Sequence, residues 1–362
     1  MRQKILIDVD TGIDDSLALL YLLASPEAHL IGIAATAGNV PAAQVAANNL
    51  AWLDVCRAPE IEVALGAAQP LAIPLRTTED THGPCGIGYA ELPASTRELS
   101  ARSAARLWVE QARAQPGEIV GLCTGPLTNL ALALREEPRL PTLLRRLVIM
   151  GGAFHHPGNT TPTNEWNVHV DPEAAKAVFD AFSAAPPQRR PIVCALDITE
   201  TIEMRPHHLL RLAERAQSLP LEHLSESTPP GRSATSNPVI AHLTDAVRFY
   251  FEFHQQHDQG YLAHMHDPFA AAVALDSTLA RTRPATVDVE LSGTLTRATT
   301  VADWSGMWGR EPNADIVIDT DPARFFDSMI AKIGDFARNR YPPHELATTP
   351  TRDISTAHEQ GR

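Results

Sequence analysis

Residues 4–10, KILIDVD, form a near-continuous apolar run that ends in acid, and Thr11-Gly12 then turns the chain into a helical pattern opened by Asp14 and Asp15. An apolar run of this kind followed at once by an amphipathic helix reads as one strand of a parallel sheet covered on both faces. The unit recurs: residues 29–36 read as a second buried strand, 42–56 as an alanine-rich helix and 61–65 as a third strand, a βαβαβ opening. Further on, the pattern predicts a helix over 101–114, a strand over 118–124, a helix over 127–136 and a strand over 146–150 that ends in Gly151-Gly152. Asp171-Pro172-Glu173 has the form of a helix start, with Asp171 as N-cap and Pro172 at the first helical position.

Residues 192–196 give a sixth strand, with Asp197 at its end. The pattern from 205 to 257 is mainly helical, interrupted by a Ser/Thr/Pro/Gly-rich stretch at 225–238. His266-Asp267-Pro268 opens a helix to 275, in which Asp267 could serve as cap. A strand or hairpin is predicted over 287–301, a strand over 314–319 and a closing helix over 321–338. The polar stretch from about 342 is expected to be a disordered tail. There is no internal repeat and no second composition regime. The expectation is a single α/β domain over 1–340, a mostly parallel Rossmann-like central sheet flanked by helices with additional C-terminal strands and helices.

In such a sheet ligands gather beyond the carboxyl ends of the strands. Asp10, Asn39, Thr124, Met150 and Asp197 all fall on that rim. Asp8, Asp10, Asp14 and Asp15 put four carboxylates within eight residues. Like charges brought this close need a cation or shared protons, and gathered acidic oxygens suit a hard ion such as Ca²⁺ or Mg²⁺. Two loops are candidates for substrate contact. Residues 69–95, rich in Pro and Gly and containing His82-Gly83-Pro84-Cys85-Gly86-Ile87-Gly88, read as a mobile active-site flap. Asn159–Asn167, NTTPTNEWN, reads as a polar loop whose side chains could reach several hydroxyls.

Composition narrows the class. The chain has 362 residues, 44% hydrophobic and 20% charged, ordinary for a globular protein and long enough for an enzyme. Its formal charge of −13 argues against nucleic acid or an anionic membrane as partner. No apolar run approaches the roughly 20 residues that span a bilayer, and Met1 leads almost directly into a strand, so a cytoplasmic location is expected. Cys56, Cys85, Cys123 and Cys194 lack CxxC spacing, which predicts reduced thiols and no zinc.

Taken together, Asp8-Val9-Asp10-Thr11-Gly12-Ile13-Asp14-Asp15, Asn39, Cys123-Thr124-Gly125-Pro126-Leu127-Thr128-Asn129, Met150-Gly151-Gly152, Asn159 with Glu165-Trp166-Asn167, Asp171-Pro172-Glu173-Ala174-Ala175 and His266-Asp267-Pro268 resemble the successive motifs of the inosine-uridine preferring nucleoside hydrolases. They occur in the family's order from residue 5 to about 276, with weaker similarity to about 338. The resemblance implies Ca²⁺-dependent hydrolysis of the N-glycosidic bond of ribonucleosides by a homodimer or homotetramer. Asp10, Asp15, the carbonyl of Thr124 and Asp267 would hold the Ca²⁺. Asp14, Asn39, Met150, Asn159, Glu165, Trp166 and Asn167 would bind substrate around the ribose. Asp10 would be general base on the water held by the ion, and His266 would protonate the leaving base, with His82 a second candidate for contacting the base. The chain departs from the family at Thr11, where Pro is usual, and at Cys85, where Asp is common.

The residue types suit this chemistry independently. Cleaving an N-ribosidic bond builds positive charge on the sugar, which surrounding carboxylates stabilise, and a histidine titrating near neutrality can protonate a departing base. Asp8-Val9-Asp10-Thr11-Gly12 also looks like the first motif of haloacid-dehalogenase-type Mg²⁺ phosphatases, with Asp8 as nucleophile and Asp10 as acid/base, and a non-catalytic Ca²⁺ and sugar-binding protein is a third reading. His155, His156, His207, His208, His254 and His257 are expected to be surface or helix-cap residues, and His264 lies close enough to His266 to be confused with it.

Overall fold

The computed structural model describes residues 2–229 and 231–346. Its centre is a nine-stranded sheet. In chain order the strands are β1 (Gln3–Val9), β2 (Ala28–Ala35), β3 (Val63–Leu65), β4 (Ile119–Cys123), β5 (Arg146–Met150), β6 (Ile192–Cys194), β7 (Glu203–Met204), β8 (Ala263–His264), β9 (Ala280–Val289), β10 (Thr300–Asp303) and β11 (Ala314–Thr320). The sheet order is β10-β9-β11-β6-β5-β4-β1-β2-β3, and β7 and β8 form a separate two-stranded ribbon. From β3 to β11 the pairing is parallel, while β9 and β10 are antiparallel additions at one edge. The sheet is thus mostly parallel, as the apolar runs predict. β9 begins earlier than expected, because Arg281 and Arg283 alternate with small residues along β11 without an apolar signal.

β1 is buried on both faces. Ile5 and Ile7 join the core formed with the helices Ile13–Ala24 and His266–Leu275, whereas Leu6 joins the core containing Trp108 from the helix Ala104–Ala114. Asp8 faces this second side. Its Oδ2 accepts from Trp108 Nε1 at 2.7 Å and its Oδ1 from Asn129 Nδ2 at 2.9 Å. Burial raises its pKa to about 7 against the opposing pull of those two bonds. Asp8 therefore latches β1 to two covering helices, and neither oxygen is left for nucleophilic attack. The haloacid-dehalogenase reading fails at its first residue.

The chain runs outward from β1 to β2 and β3, then returns to place β4 on β1's other side. This reversal opens a crevice between the carboxyl ends of β1 and β4, where open α/β sheets bind ligands. Over it pack two almost wholly buried helices, Ile13–Ala24 and His266–Leu275. The second, with Phe269 and four alanines, is apolar all round beyond its first turn, as a helix enclosed by its neighbours must be. Helices Pro172–Phe182, Pro238–Gln256 and Pro322–Arg340 each begin with Pro, capped by Asp171, Asn237 and Asp321 respectively. The tail forms a short helix at Pro343–Leu346, and the predicted disorder beyond it lies outside the described residues. Among the described residues no helix is long and apolar enough to cross a membrane. Cys56, Cys123 and Cys194 are buried free thiols and Cys85 is exposed.

His208 serves the fold as a helix cap. Its Nδ1 accepts the Arg205 N–H at 2.9 Å, and its ring stacks on Phe326. Burial, reinforced by His207, Arg211 and Arg205, lowers its pKa from 6.5 to about 4. The unfolded chain therefore binds a proton here that the folded chain refuses, so this contribution to stability is present above about pH 6.5 and is lost as pH falls towards 4. Thermal unfolding followed from pH 7 to 4.5 is expected to show a declining Tm, with a shallower decline in His208→Leu than in the parent protein.

Candidate active site

Two helix N-termini converge on the crevice. Asp14 and Asp15 lie in the first turn of Ile13–Ala24 and Asp267 in the first turn of His266–Leu275, where the exposed N–H groups favour negative charge. Asp267 does not cap its helix; the N-cap position is Met265, and the carboxylate turns to Asp14 and Asp15 instead. Each of the three offers an oxygen, all within 4.8 Å of one another. Asp10, at the end of β1, is fully buried beside them. Its Oδ2 accepts from the Asn39 N–H at 2.8 Å, and its Oδ1 has no partner. Asp15 is held by Gly12 N–H (2.8 Å) and Asn39 Nδ2 (3.3 Å) on one oxygen and by Thr124 Oγ1 (2.7 Å) on the other.

Burial is the first cause that raises the pKa of every member, followed for Asp10 and Asp14 by the charge of Asp15 and for Asp267 by the charge of Asp14. Asp14 is raised to about 7. Asp14 and Asp267 meet carboxyl to carboxyl, an arrangement that needs a proton or a cation between them. The unpartnered oxygens Asp10 Oδ1 and Asn39 Oδ1 point to the same want of positive charge. Hard oxygen donors, dense negative charge and unfilled acceptors fit a divalent cation. The close carboxylate trio contains Asp14, which the resemblance places on the ribose.

A cavity of about 300 Å³ opens above this cluster. Asp14, Asn39, His82, Thr124, Met150, Asn159, Glu165, Trp166, Asn167, His266 and Asp267 all line it, so residues scattered from 14 to 267 meet in one place, while Asp10 and Asp15 lie buried at its base. Asn167 Nδ2 donates to the carbonyl of Thr124 (2.8 Å) and to that of Met150 (3.3 Å), tying together the ends of β4 and β5. The segment around Asn167 is more ordered than a loop. Trp166–Val170 is a short helix capped by Glu165, whose carboxylate accepts from the N–H groups of Asn167, Val168 and Gly152. Asn159 Oδ1 accepts the Trp166 N–H at 2.9 Å.

Histidines and aromatics form the opposite wall. His82 ends a short helix, Glu79–His82, within the segment expected to be a free flap, and its Nδ1 accepts the Ile13 N–H at 3.1 Å. This segment is folded into the site: Ile87 is buried and Asn48 Nδ2 donates to the Cys85 carbonyl. Burial lowers the pKa of His82 to about 4, so the ring is neutral and its other nitrogen carries the proton. His266 Nδ1 lies 2.7 Å from Thr199 Oγ1. Its pKa is well below the usual 6.5, first through burial and then through His264, His254, His82 and His156. The expected titration near neutrality is therefore displaced, and His266 stands in the cavity as a neutral ring.

Sequence reasoning missed several lining residues. His156 and His254, expected at the surface or in caps, line the cavity, together with Glu200, Tyr250, Phe253 and His264, whereas His257, which also lines it, is the exposed C-cap of Pro238–Gln256 as expected. Tyr250, His254 and His257 recur at helical spacing with Phe253, a signal that could have marked one face of Pro238–Gln256 as a site wall.

The family model described as inosine-uridine preferring nucleoside hydrolase matches residues 5–327. The pyrimidine-specific ribonucleoside hydrolase RihA of Salmonella typhi is 33% identical over 341 residues, which cover 93% of this chain and 100% of that protein. The purine-preferring ribonucleoside hydrolase from Gardnerella vaginalis superposes with a TM-score of 0.81 at 29% identity, covering 93% of this chain and 100% of that one. The plant nucleoside hydrolase PpNRh1 gives a TM-score of 0.81 at 26% identity over 92% of this chain and 99% of its own. Fold, acidic crevice and relatives together define an N-ribosyl hydrolase. The chain belongs to the inosine-uridine preferring nucleoside hydrolase family.

Gly38 tests how tightly the base of the site is built. A Cβ there would lie 2.1 Å from Asp10 Oδ2 and 2.8 Å from the Pro126 ring, so a methyl group must displace the carboxylate. Gly38→Ala is expected to keep its circular dichroism spectrum and to lose activity on the order of 10²-fold, as displacements of about 1 Å in a site commonly do. Measured kcat on nucleosides with the fold monitored in parallel checks this.

Proposed function

We propose that the protein is a Ca²⁺-dependent ribonucleoside hydrolase that releases free nucleobase and ribose. The observation that carries this reading is the convergence of four buried carboxylates, one with an unpartnered oxygen, at the floor of a cavity whose opposite wall is rings. Asp10, Asp15, Asp267 and the Thr124 carbonyl would hold the cation, with Asp14 beside them. When bound, the ion compensates the carboxylates and makes an adjacent water more acidic.

Asn39 holds one oxygen of Asp10 through its N–H and leaves the other facing no protein donor, which suits Asp10 to take a proton from the attacking water. Asp14, Asn39, Asn159, Glu165 and Asn167 supply carboxylate and amide groups for the ribose hydroxyls, with Met150 and Trp166 as the less polar surface. Their negative charge stabilises the oxocarbenium-like sugar more than the neutral substrate. His266, fixed by Thr199, would donate a proton to the departing base from a neutral ring, with His82 on the same wall. Water is the acceptor, since a carboxylate floor repels phosphate.

Purified protein is expected to contain a stoichiometric divalent ion by elemental analysis. Removing it with a chelator should abolish release of free ribose from nucleosides, and Ca²⁺ should restore it. Ribose 1-phosphate as the main product in phosphate buffer would refute hydrolysis.

Two substitutions separate the two ends of the reaction. Asp10→Asn should depress turnover of every substrate, whatever its leaving group. His266→Ala should cost on the order of 10²–10⁴-fold on natural nucleosides, the range of general acids, and spare a p-nitrophenyl riboside whose leaving group needs no proton. Turnover of both substrates in metal-replete protein is the measurement, and equal losses in His266→Ala would remove this histidine from the acid role.

A further inference from the structure

Thr199 ends the short helix Leu196–Thr199 and His266 begins the helix His266–Leu275, and the Oγ1 of one lies 2.7 Å from the Nδ1 of the other. Which of the two atoms supplies the hydrogen decides what the second ring nitrogen can do. A threonine hydroxyl has a single hydrogen to place. Thr201, two residues on, sends its own to the Ile198 carbonyl at 2.6 Å, as threonines near a helix end commonly do. Thr199 does not. The Ala195 carbonyl, four residues back, receives its N–H at 3.0 Å but not its hydroxyl, and among the described residues the only hydrogen-bond partner of Oγ1 is His266 Nδ1.

Thr199 is fully buried, so its hydroxyl cannot turn to solvent instead. Were Nδ1 to carry a hydrogen, in the neutral or in the doubly protonated ring, the hydroxyl hydrogen would be left in the interior without an acceptor. Both groups are satisfied only if Oγ1 donates and Nδ1 accepts, and the ring's one hydrogen is then on Nε2. Among the described residues Nε2 has no hydrogen-bond partner, and it is not sealed inside the protein, since the ring lines the cavity. Thr199 itself does not line it.

We propose that Thr199 is a positioning residue that sets the tautomer of His266, so that the Nε2 hydrogen, and not a lone pair, faces the departing base. This rests on the nucleoside-hydrolase reading above. A base leaving with the bonding electron pair is an anion, and a fixed N–H aimed at one of its acceptor atoms stabilises the charge as it develops. With the hydrogen on Nδ1 instead, two lone pairs would oppose each other at the same place.

Thr199→Val keeps the shape of the side chain and removes the hydroxyl, whereas Thr199→Ser keeps the hydroxyl. In the metal-replete parent protein the ¹⁵N resonances of the His266 ring, assigned by their loss in His266→Gln, are expected to show a protonated Nε2 and an unprotonated Nδ1. In Thr199→Val the hydrogen is expected to move partly or wholly to Nδ1, with kcat on natural nucleosides falling on the order of 10–10³-fold, as loss of the correct tautomer does to general acids and bases. KM and turnover of a p-nitrophenyl riboside, whose leaving group needs no such support, should change little, and Thr199→Ser should restore both the spectrum and kcat. A protonated Nδ1 in the parent protein overturns the proposal, and this measurement stands even if Thr199→Val fails to fold. A parent-like ring spectrum in folded Thr199→Val, or equal losses on nucleosides and the nitrophenyl riboside, also overturns it, because Thr199 would then act on structure alone. No ribose release by the parent protein from any nucleoside overturns the hydrolase reading and this role with it, whatever the tautomer.

Discussion

Four buried carboxylates are gathered at one place, and the rest of the architecture can be understood as the means of holding them there. Desolvation and mutual repulsion both oppose this, and they act together to raise every pKa in the group. The protein offsets part of the cost with two helix N-termini aimed at the cluster, the N–H of Gly12 on Asp15 and the N–H of Asn39 on Asp10. The offset is incomplete, as the unpartnered oxygens of Asp10 and Asn39 record. A site left short of positive charge in this way is prepared for a cation in the ground state and for a cationic sugar as the bond breaks.

Asp8 and Asp10 show how finely the backbone sorts like residues. Asp8 still belongs to the ladder, paired with Cys123 on one side and Ala34 on the other, and its carboxylate is consumed by Trp108 and Asn129. Asp10 lies just past the last strand residue, where Gly38 leaves room for the next strand's loop to approach its carboxylate. One residue is a structural latch and the other belongs to the acidic cluster. Gly12 acts similarly on the other wall: a Cβ there would lie 2.7 Å from His82 Nδ1, so its absence lets the ring reach the helix start.

The cavity thus has two unlike halves. An acidic floor is built from strand ends and helix starts of the sheet core, elements whose positions the parallel ladder fixes. The wall of rings comes from the helix Pro238–Gln256, the ribbon strand β8 and the loop carrying His156, which lie outside the ladder. On the function proposed above, sugar chemistry would rest on the part of the fold fixed by the ladder, and contact with the base would fall to the more peripheral part. Relatives described as pyrimidine-specific and as purine-preferring share the fold with this chain, as expected if the peripheral half is where preferences diverge.

By itself the sequence determined the parallel sheet, the helix starts at Asp171 and His266, and the acidic and amide residues that line the cavity. It could do so because buried strands are continuous apolar runs, because capping residues act within a few positions, and because the site's motifs sit directly at strand ends. Only the tertiary structure decided that Asp8 turns away from the site, that Asp14 joins Asp15 and Asp267, that Trp166–Val170 is helical, and that His156, His254, His257 and His264 face the cavity. Apart from the short helix Trp166–Val170, these depend on residues far apart in the chain or on which side of an element meets the crevice, and no local pattern carries that information. A histidine on an apolar helix looks the same whether it faces solvent, a neighbouring helix or a nucleobase. Its neighbours in space make the difference.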